Sequence, residues 1–231
     1  MSKPLVLFIE DEAALAEIVS ESLADKGFQV NHAKTLAAAS RYYHQSKPDI
    51  IVADVMLPDG DGFDFAKQIR KADLETPIIF LTSRSRPEDV VNGFETGGND
   101  YLKKPFSMME LIVRVKALLN KNQLAAAKEI NTKNVYQLGN YIFYYPSGML
   151  EKDGTKLQLT SRESDLLYML IANPNPYISR TELLQKLWGS TDYFSSRSLD
   201  VFISKLRKYL KSEPQLMIIN VRGKGYKFVQ G

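Results

Sequence analysis

Hydrophobic positions in the first hundred residues fall into short continuous runs rather than alternating ones. Residues 5–9, 50–53 and 78–81 are apolar throughout, the signature of parallel strands covered on both faces. Residues 28–30 and 101–102 are weaker strand candidates. Between these runs, residues 13–23, 36–43, 63–69, 90–94 and 111–119 carry apolar side chains at helical spacing. Five strands alternating with five helices predict a doubly wound α/β domain with a five-stranded parallel sheet. In such a sheet, ligands collect beyond the carboxyl ends of the strands.

The pattern changes in the second half. Residues 135–158 alternate apolar and polar positions around Gly139-Asn140, Pro146-Ser147-Gly148 and Asp153-Gly154, which predicts a short antiparallel meander. Three helices follow. The first, 161–172, opens on Ser161, whose third successor is Ser164, so its capping box reads as incomplete although Glu163 suits a first turn. In the second, 180–188, Leu183, Leu184, Leu187 and Trp188 read as core, with Trp188 a packing residue rather than a base stacker. The third, 196–210, buries Leu199, Ile203, Leu206 and Leu210 and presents Arg197, Val201, Ser204, Lys205 and Lys208 on its opposite side. Two final strands, 217–221 and 226–229, flank the hairpin tip Arg222-Gly223-Lys224-Gly225.

Length and charge support a division into two. A chain of 231 residues is large for one core and suits about two domains. Residues 1–122 carry 15 Lys/Arg against 18 Asp/Glu, net −3, and residues 123–231 carry 15 against 9, net +6. The basic half points to a polyanion partner. Domains are expected at 1–122 and 134–231, with 123–133 as a linker that continues a helix. No apolar run approaches the roughly 20 residues that span a bilayer. The N-terminus reaches Glu10-Asp11 too soon for a secretory signal, so a cytoplasmic protein without membrane association is expected. The chain has no cysteine, which excludes disulfides, zinc-thiolate sites and thiol nucleophiles. His32 and His44 are expected at the surface.

The polar residues at the strand ends suggest the chemistry. The first strand ends in Glu10-Asp11, the third in Asp54, and the fourth in Thr82-Ser83, and the fifth is followed by Lys103-Lys104-Pro105-Phe106. Singly, each has a bland role as a cap or turn residue. Together, three carboxylates, a hydroxyl and an ammonium converge on one pocket. Clustered carboxylates disfavour one another's ionisation and blunt a nucleophile, and a divalent cation among them reverses this. With only oxygen donors and a phosphate to bind, Mg²⁺ is the expected ion. The chemistry that fits is in-line phosphoryl transfer to Asp54, with the developing charge shared by Mg²⁺, Lys104 and Thr82.

These residues resemble the receiver domain of two-component response regulators: an acidic pair (Glu10-Asp11), an acceptor followed by a Leu-Pro turn (Asp54, Leu57-Pro58), a Thr/Ser (Thr82) and a Lys-Pro-Phe (Lys104-Pro105-Phe106). The resemblance implies Asp11, Asp54 and the Met56 carbonyl as Mg²⁺ ligands, with Glu10 acting through water. It also implies Tyr101 as an aromatic that rotates with Thr82, and a sensor histidine kinase as the phosphoryl donor. Such a protein accepts phosphate and is not a turnover enzyme on an outside substrate. A phosphatase, or a DNA-binding module with a constitutive dimerisation domain, are the rival readings.

The second half resembles the winged-helix effector of the OmpR/PhoB family, through Arg197-Ser198-Leu199-Asp200-Val201, Lys205-Leu206-Arg207 and Val221-Arg222-Gly223-Lys224-Gly225-Tyr226. Phe202 departs from an expected histidine and Ser204 from a frequent basic residue. The resemblance and the basic outer face imply binding to double-stranded DNA at direct-repeat half-sites. Arg197, Val201, Ser204 and Lys205 would lie near base edges, with Lys208, Arg222 and Lys224 mainly on phosphates. It further implies contact with RNA polymerase through the loop 189–195, and a homodimer formed on phosphorylation across residues 90–96, Tyr101 and 110–116. In that dimer Asp100 would pair with Arg114 and Glu95 with Lys116, while Val90 replaces a usual cation opposite Glu110.

Overall fold

Five short strands, most of them buried on both faces, form the centre of the first half: β1 (Leu5–Ile9), β2 (Gln29–Ala33), β3 (Ile50–Asp54), β4 (Ile78–Thr82) and β5 (Asp100–Lys103). The computed structural model describes residues 3–83, 93, 96–126, 134–189, 191 and 193–231, and the chain divides into two units, Met1–Asn120 and Lys121–Gly231. The strands pair in parallel in the order β2-β1-β3-β4-β5. Every position of β3 and β4 is buried, which is why these two read as unbroken apolar runs.

Around the sheet lie α1 (Ala13–Asp25), α2 (Leu36–Gln45), α3 (Gly62–Arg70) and α4 (Met108–Ala126). The helix expected at 90–94 lies outside the described residues apart from Gly93. On α1, Ala16, Val19 and Leu23 share a core with Leu111, Val115 and Leu118 of α4 and with Val6, Phe8, Ile50, Val52, Ile79 and Leu81 of the strands. The helix α4 continues over residues 123–126 of the expected linker.

The segment joining β3 to α3 is tied down residue by residue. A two-residue antiparallel hairpin pairs Met56–Leu57 with Gly60–Asp61. Asp61 caps α3 by accepting from the Phe63 backbone N–H (2.8 Å). Asp59 accepts from the Leu36 and Ala37 backbone N–H groups at the start of α2 (2.9 and 3.0 Å). Gly62 is required where it stands, because a Cβ there would collide with the Asp54 carbonyl oxygen. The helix α3 therefore begins directly behind Asp54.

The second unit opens with a four-stranded antiparallel sheet, order β9-β8-β7-β6, made of β6 (Val135–Leu138), β7 (Tyr141–Tyr144), β8 (Met149–Lys152) and β9 (Thr155–Gln158). Three helices follow: α5 (Ser161–Ile171), α6 (Arg180–Trp188) and α7 (Tyr193–Tyr209), the last continued by a 3₁₀ turn, Leu210–Ser212. The capping box of α5 is complete, contrary to the sequence expectation. The N-cap is Thr160, one residue earlier than assumed, so the partner three positions on is Glu163. Thr160 donates its N–H to Glu163 Oε2 (2.9 Å), while its hydroxyl accepts from the Glu163 N–H. Ser179 caps α6 by accepting from the Glu182 N–H, and Gly189, with φ of 71°, closes it in the left-handed conformation that favours glycine.

Inside this unit the Arg162 guanidinium lies over the Trp188 ring (5.3 Å to its centroid) and donates to the Leu187 carbonyl. Trp188 in turn packs against Phe202. A second small sheet, order β10-β12-β11, joins β10 (Ile178–Ser179) to the hairpin of β11 (Leu216–Val221) and β12 (Gly225–Gln230). Gly225 faces Ser179 in this sheet, and a Cβ on it would collide with the Ile178 carbonyl oxygen. Gly225→Ala is expected to destabilise the second unit by about 2 kcal/mol, since backbone must move to admit the methyl group. An unchanged thermal midpoint would refute that close approach.

Candidate functional site

The strand order reverses between β1 and β3, neighbours in the sheet although not in the sequence. A crevice opens at the carboxyl ends there. Glu10 follows β1 and is fully buried, Asp54 ends β3 at 7% exposure, and Asp11 is exposed on the solvent side. One carboxylate oxygen from each lies within 4.8 Å of the others. The Lys104 ammonium closes the group, 2.6 Å from Glu10 Oε2 and 2.5 Å from Asp54 Oδ2. The second Asp54 oxygen, Oδ1, accepts from the Met56 N–H (2.9 Å).

The electrostatics follow from this packing. Burial acts most strongly on Glu10 and raises its pKa, against the hydrogen bond from Lys104 and with the Asp54 charge adding to the rise. Burial alone would lower the pKa of Lys104, but hydrogen bonds to Asp54 and Glu10 and their charges outweigh it and raise the pKa. Lys104 is thus held as a cation between two carboxylates. The donors of the acidic group, Glu10, Asp11 and Asp54, are all oxygen, and the Met56 carbonyl follows in the same loop. That hard donor set suits Mg²⁺ and offers nothing to a thiophilic metal.

Thr82 ends β4 fully buried, and its carbonyl accepts from the Lys104 N–H (2.8 Å). Tyr101 is buried with its ring against Phe63 and Phe80. Lys103 is exposed and Lys104-Pro105 is a cis bond. His32 corrects the surface expectation: it is half-buried and donates from Nε2 to the Glu10 carbonyl (2.8 Å), bracing the acidic pair from β2. His44 is exposed.

In the second unit, Arg197, Ser204 and Lys208 of α7 are exposed, as are Arg222 and Lys224 at the hairpin tip. Two residues expected on that outer face are not there. Val201 is 7% exposed, because the run Val201, Phe202, Ile203 is buried as a whole. Helices α5 and α6 cover one side of α7 and β11 another, so the buried stripe is wider than helical spacing alone suggests. Lys205 is half-buried, with its ammonium 3.3 Å from Glu163 Oε1 and over the Phe202 ring. Its charge serves the packing of α7 on α5. Asp200 and Arg207, which the sequence strings contain without assigning them a role, are both exposed, the latter donating twice to the Ile218 carbonyl (2.9 and 2.7 Å).

The dimer-face residues also differ from expectation. Arg114 is 5% exposed, and it pairs inside its own chain with Asp100 (2.9 Å) and with Glu110 one turn earlier (2.7 Å). An Asp100–Arg114 bridge to another subunit would therefore compete with one already made, since Asp100 is buried on β5 beside α4. Lys116 is exposed. Glu95 and Val90 lie outside the described residues, as do 190 and 192 in the loop 189–195, which is shorter than expected because α7 starts at Tyr193. Among the described residues no helix is long and apolar enough to cross a membrane.

A doubly wound receiver with an acidic crevice, followed by a helix-turn-helix unit with a basic hairpin, defines a class of phosphorylation-controlled DNA-binding regulators. Residues 6–116 match the response regulator receiver domain and residues 154–228 the C-terminal domain of transcriptional regulatory proteins. The chain is 38% identical over 224 residues to the transcriptional regulatory protein RprY of Bacteroides fragilis, covering 97% of this chain and 94% of that protein. It is 35% identical over 227 residues to the phosphate regulon transcriptional regulatory protein PhoB of Klebsiella pneumoniae, covering 96% of each. A solved structure of a RitR mutant superposes with a TM-score of 0.72 at 25% identity, covering 99% of this chain and all of that one. The chain belongs to the OmpR/PhoB family of two-component response regulators.

Proposed function

We propose that Asp54 is the phosphoryl acceptor of this regulator, and that Glu10, Asp11, Asp54 and the Met56 carbonyl hold the Mg²⁺ that transfer requires. The observation that carries this reading is the Asp54 carboxylate at the sheet's switch point, among two further carboxylates and 2.5 Å from the Lys104 ammonium. When bound, the ion supplies positive charge to the phosphoryl oxygens. An Asp54 oxygen attacks phosphorus in line, the P–N bond to the kinase's imidazole or the P–O bond to the acetate of acetyl phosphate breaks, and the departing imidazole or acetate keeps the electron pair. Lys104 binds a phosphoryl oxygen, the Thr82 hydroxyl hydrogen-bonds another, and Tyr101 follows Thr82. The protein is then a substrate of its kinase rather than an enzyme acting on an outside substrate. Turnover of small phosphoesters by the purified chain would replace this reading with that of a phosphatase.

Phosphorylation promotes homodimerisation on the α4 face that carries Glu110 and Lys116. The dimer sets two winged units on direct-repeat half-sites of double-stranded DNA about one helical turn apart. The segment 189–195, which ends in the first turn of α7, meets RNA polymerase, and the protein works in the cytoplasm. On DNA, Arg197 and Ser204 approach base edges, while Lys208, Arg222 and Lys224 neutralise phosphates. Lys208→Ala should weaken binding to every duplex alike and lower the salt slope by about one, whereas Arg197→Ala should cost about 1–3 kcal/mol and relax one base position. Titrations of each variant at several salt concentrations separate the two. A sequence-independent loss for Arg197→Ala would move it to the phosphate group.

A further inference from the structure

On the proposed reading, which this inference rests on, DNA approaches the outward face of α7, and that face carries an acid. Asp200 stands between Arg197 and Ser204 on the exposed side of the helix. A free carboxylate there would repel phosphates, yet it is held by one residue that also reaches the start of α7 and β12. Arg180, the first residue of α6, donates from Nη1 to Asp200 Oδ1 (2.7 Å) and from Nη2 to Asp200 Oδ2 (3.0 Å), a bidentate pair. The same guanidinium donates to the Ser196 carbonyl (2.6 Å) at the start of α7 and to the Ser196 hydroxyl. It also donates to the Tyr226 hydroxyl on β12 (2.7 Å), and Tyr226 donates to Asp200 Oδ1 (3.1 Å), closing the ring. Behind it, Ile178 and Ser179 pair with Tyr226 and Gly225, an approach that only a glycine at 225 allows.

We propose that Arg180, Asp200 and Tyr226 form a clamp that fixes the angle between α7 and the β11–β12 hairpin, and that Asp200 aids DNA binding despite its negative charge. These are positioning residues. Three donor groups meet one carboxylate and one guanidinium from α6 meets both α7 and β12, so the geometry of the two DNA-reading parts is set before DNA arrives. Preorganisation of this kind improves affinity by removing the ordering cost from the binding step. The clamp also cancels the acid's charge, and bidentate guanidinium–carboxylate pairs hold their planes in register.

The prediction runs against simple electrostatics. Removing a negative charge from a surface that meets DNA should strengthen binding through the phosphate term alone. The clamp requires the opposite for Asp200→Asn on specific sites. The test uses the full chain, duplexes enriched from a random pool by the wild-type protein, and an unrelated duplex of equal length. Asp200→Asn should bind the enriched duplex roughly tenfold more weakly, the effect of one charge-assisted hydrogen bond, with binding to the unrelated duplex unchanged or tighter. Tyr226→Phe, which deletes only the hydroxyl, should shift affinity in the same direction with the ring left in place. Re-selection with either variant should blur base preferences under both α7 and the hairpin tip. In the double-mutant cycle, Arg180→Gln should add little once Asp200→Asn is present.

Tighter binding of Asp200→Asn to both duplexes would overturn the clamp, because the acid would then only repel. A loss confined to one base pair would overturn it in favour of a direct base contact. So would additive effects of Arg180→Gln and Asp200→Asn. Near-UV circular dichroism of each variant, matched to wild type, separates a lost clamp from a lost fold, and Tyr226→Phe keeps the test decisive if Asp200→Asn fails to fold.

Discussion

Asp54→Ala is expected to carry no acid-labile phosphate after incubation with acetyl phosphate and Mg²⁺, whereas the wild-type chain gains one phosphoryl group by intact mass. The expectation rests on position as much as on residue type. Asp61 and Asp59 are spent on helix N-termini, where they accept backbone N–H bonds. Glu10 is fully buried behind the crevice, and Asp11 lies outside the strand. Asp54 ends β3 at the crevice, with one oxygen fixed by the Met56 N–H and the other facing Lys104. A chelator should abolish the wild-type signal, because the single charge of Lys104 does not offset three clustered carboxylates and an incoming phosphate together. Lys104→Ala should still bind Mg²⁺ by calorimetry but accept phosphate poorly. Phosphate that persists in Asp54→Ala, or that forms in the presence of chelator, would sink the assignment.

The second large effect is expected at Arg114. Removing its guanidinium leaves Asp100 buried without its main counter-charge, a situation that costs about 3–5 kcal/mol where one partner of a buried pair is deleted. Arg114 holds a strongly raised pKa, for although burial opposes its charge, the charges and hydrogen bonds of Asp100 and Glu110 favour it more. Arg114→Ala should therefore lower the denaturant midpoint of the first unit with little change in slope. The double variant Asp100→Ala/Arg114→Ala should lose less than the two single losses added together, since no charge is then left buried. A loss below about 1 kcal/mol for Arg114→Ala would place the pair with ordinary surface bridges. This matters for the dimer: a change in sedimentation of Arg114→Ala reports on dimer contacts only when the same variant is shown to stay folded.

Much of this protein was legible in its sequence. The parallel sheet could be read because β1, β3 and β4 are covered on both faces, which forces unbroken apolar runs. The weak runs near residues 28 and 101 were harder, and the structure explains why. The edge strand β2 is exposed at Gln29 and half-buried at its next three positions, and β5 opens on the buried Asp100, so neither needs a uniform apolar pattern. The acidic pocket was legible because its members sit at strand ends, where sequence position and spatial position coincide. The second helix of the C-terminal unit was legible because Leu183, Leu184, Leu187 and Trp188 recur at helical spacing, and all four are buried.

Other features depended on contacts that local pattern cannot encode. Thr160 rather than Ser161 became the cap because the box needs its glutamate three residues on, and only the settled start of α5 shows which hydroxyl is positioned for it. Val201 and Lys205 moved off the outer face because α7 is covered from more than one direction, so a helical period drawn for one buried side misplaces both flanks. Arg114 became an internal residue because β5 brings Asp100 beside α4. Arg180 gave no sequence signal at all, since its partners stand 16, 20 and 46 residues away. The sequence by itself determined the two fold classes, the oxygen-only acidic cluster and the basic partner surface, because each follows from residue type at short spacing. Tertiary structure alone decided which charges face solvent and which are spent inside, because that depends on what the chain folds against them.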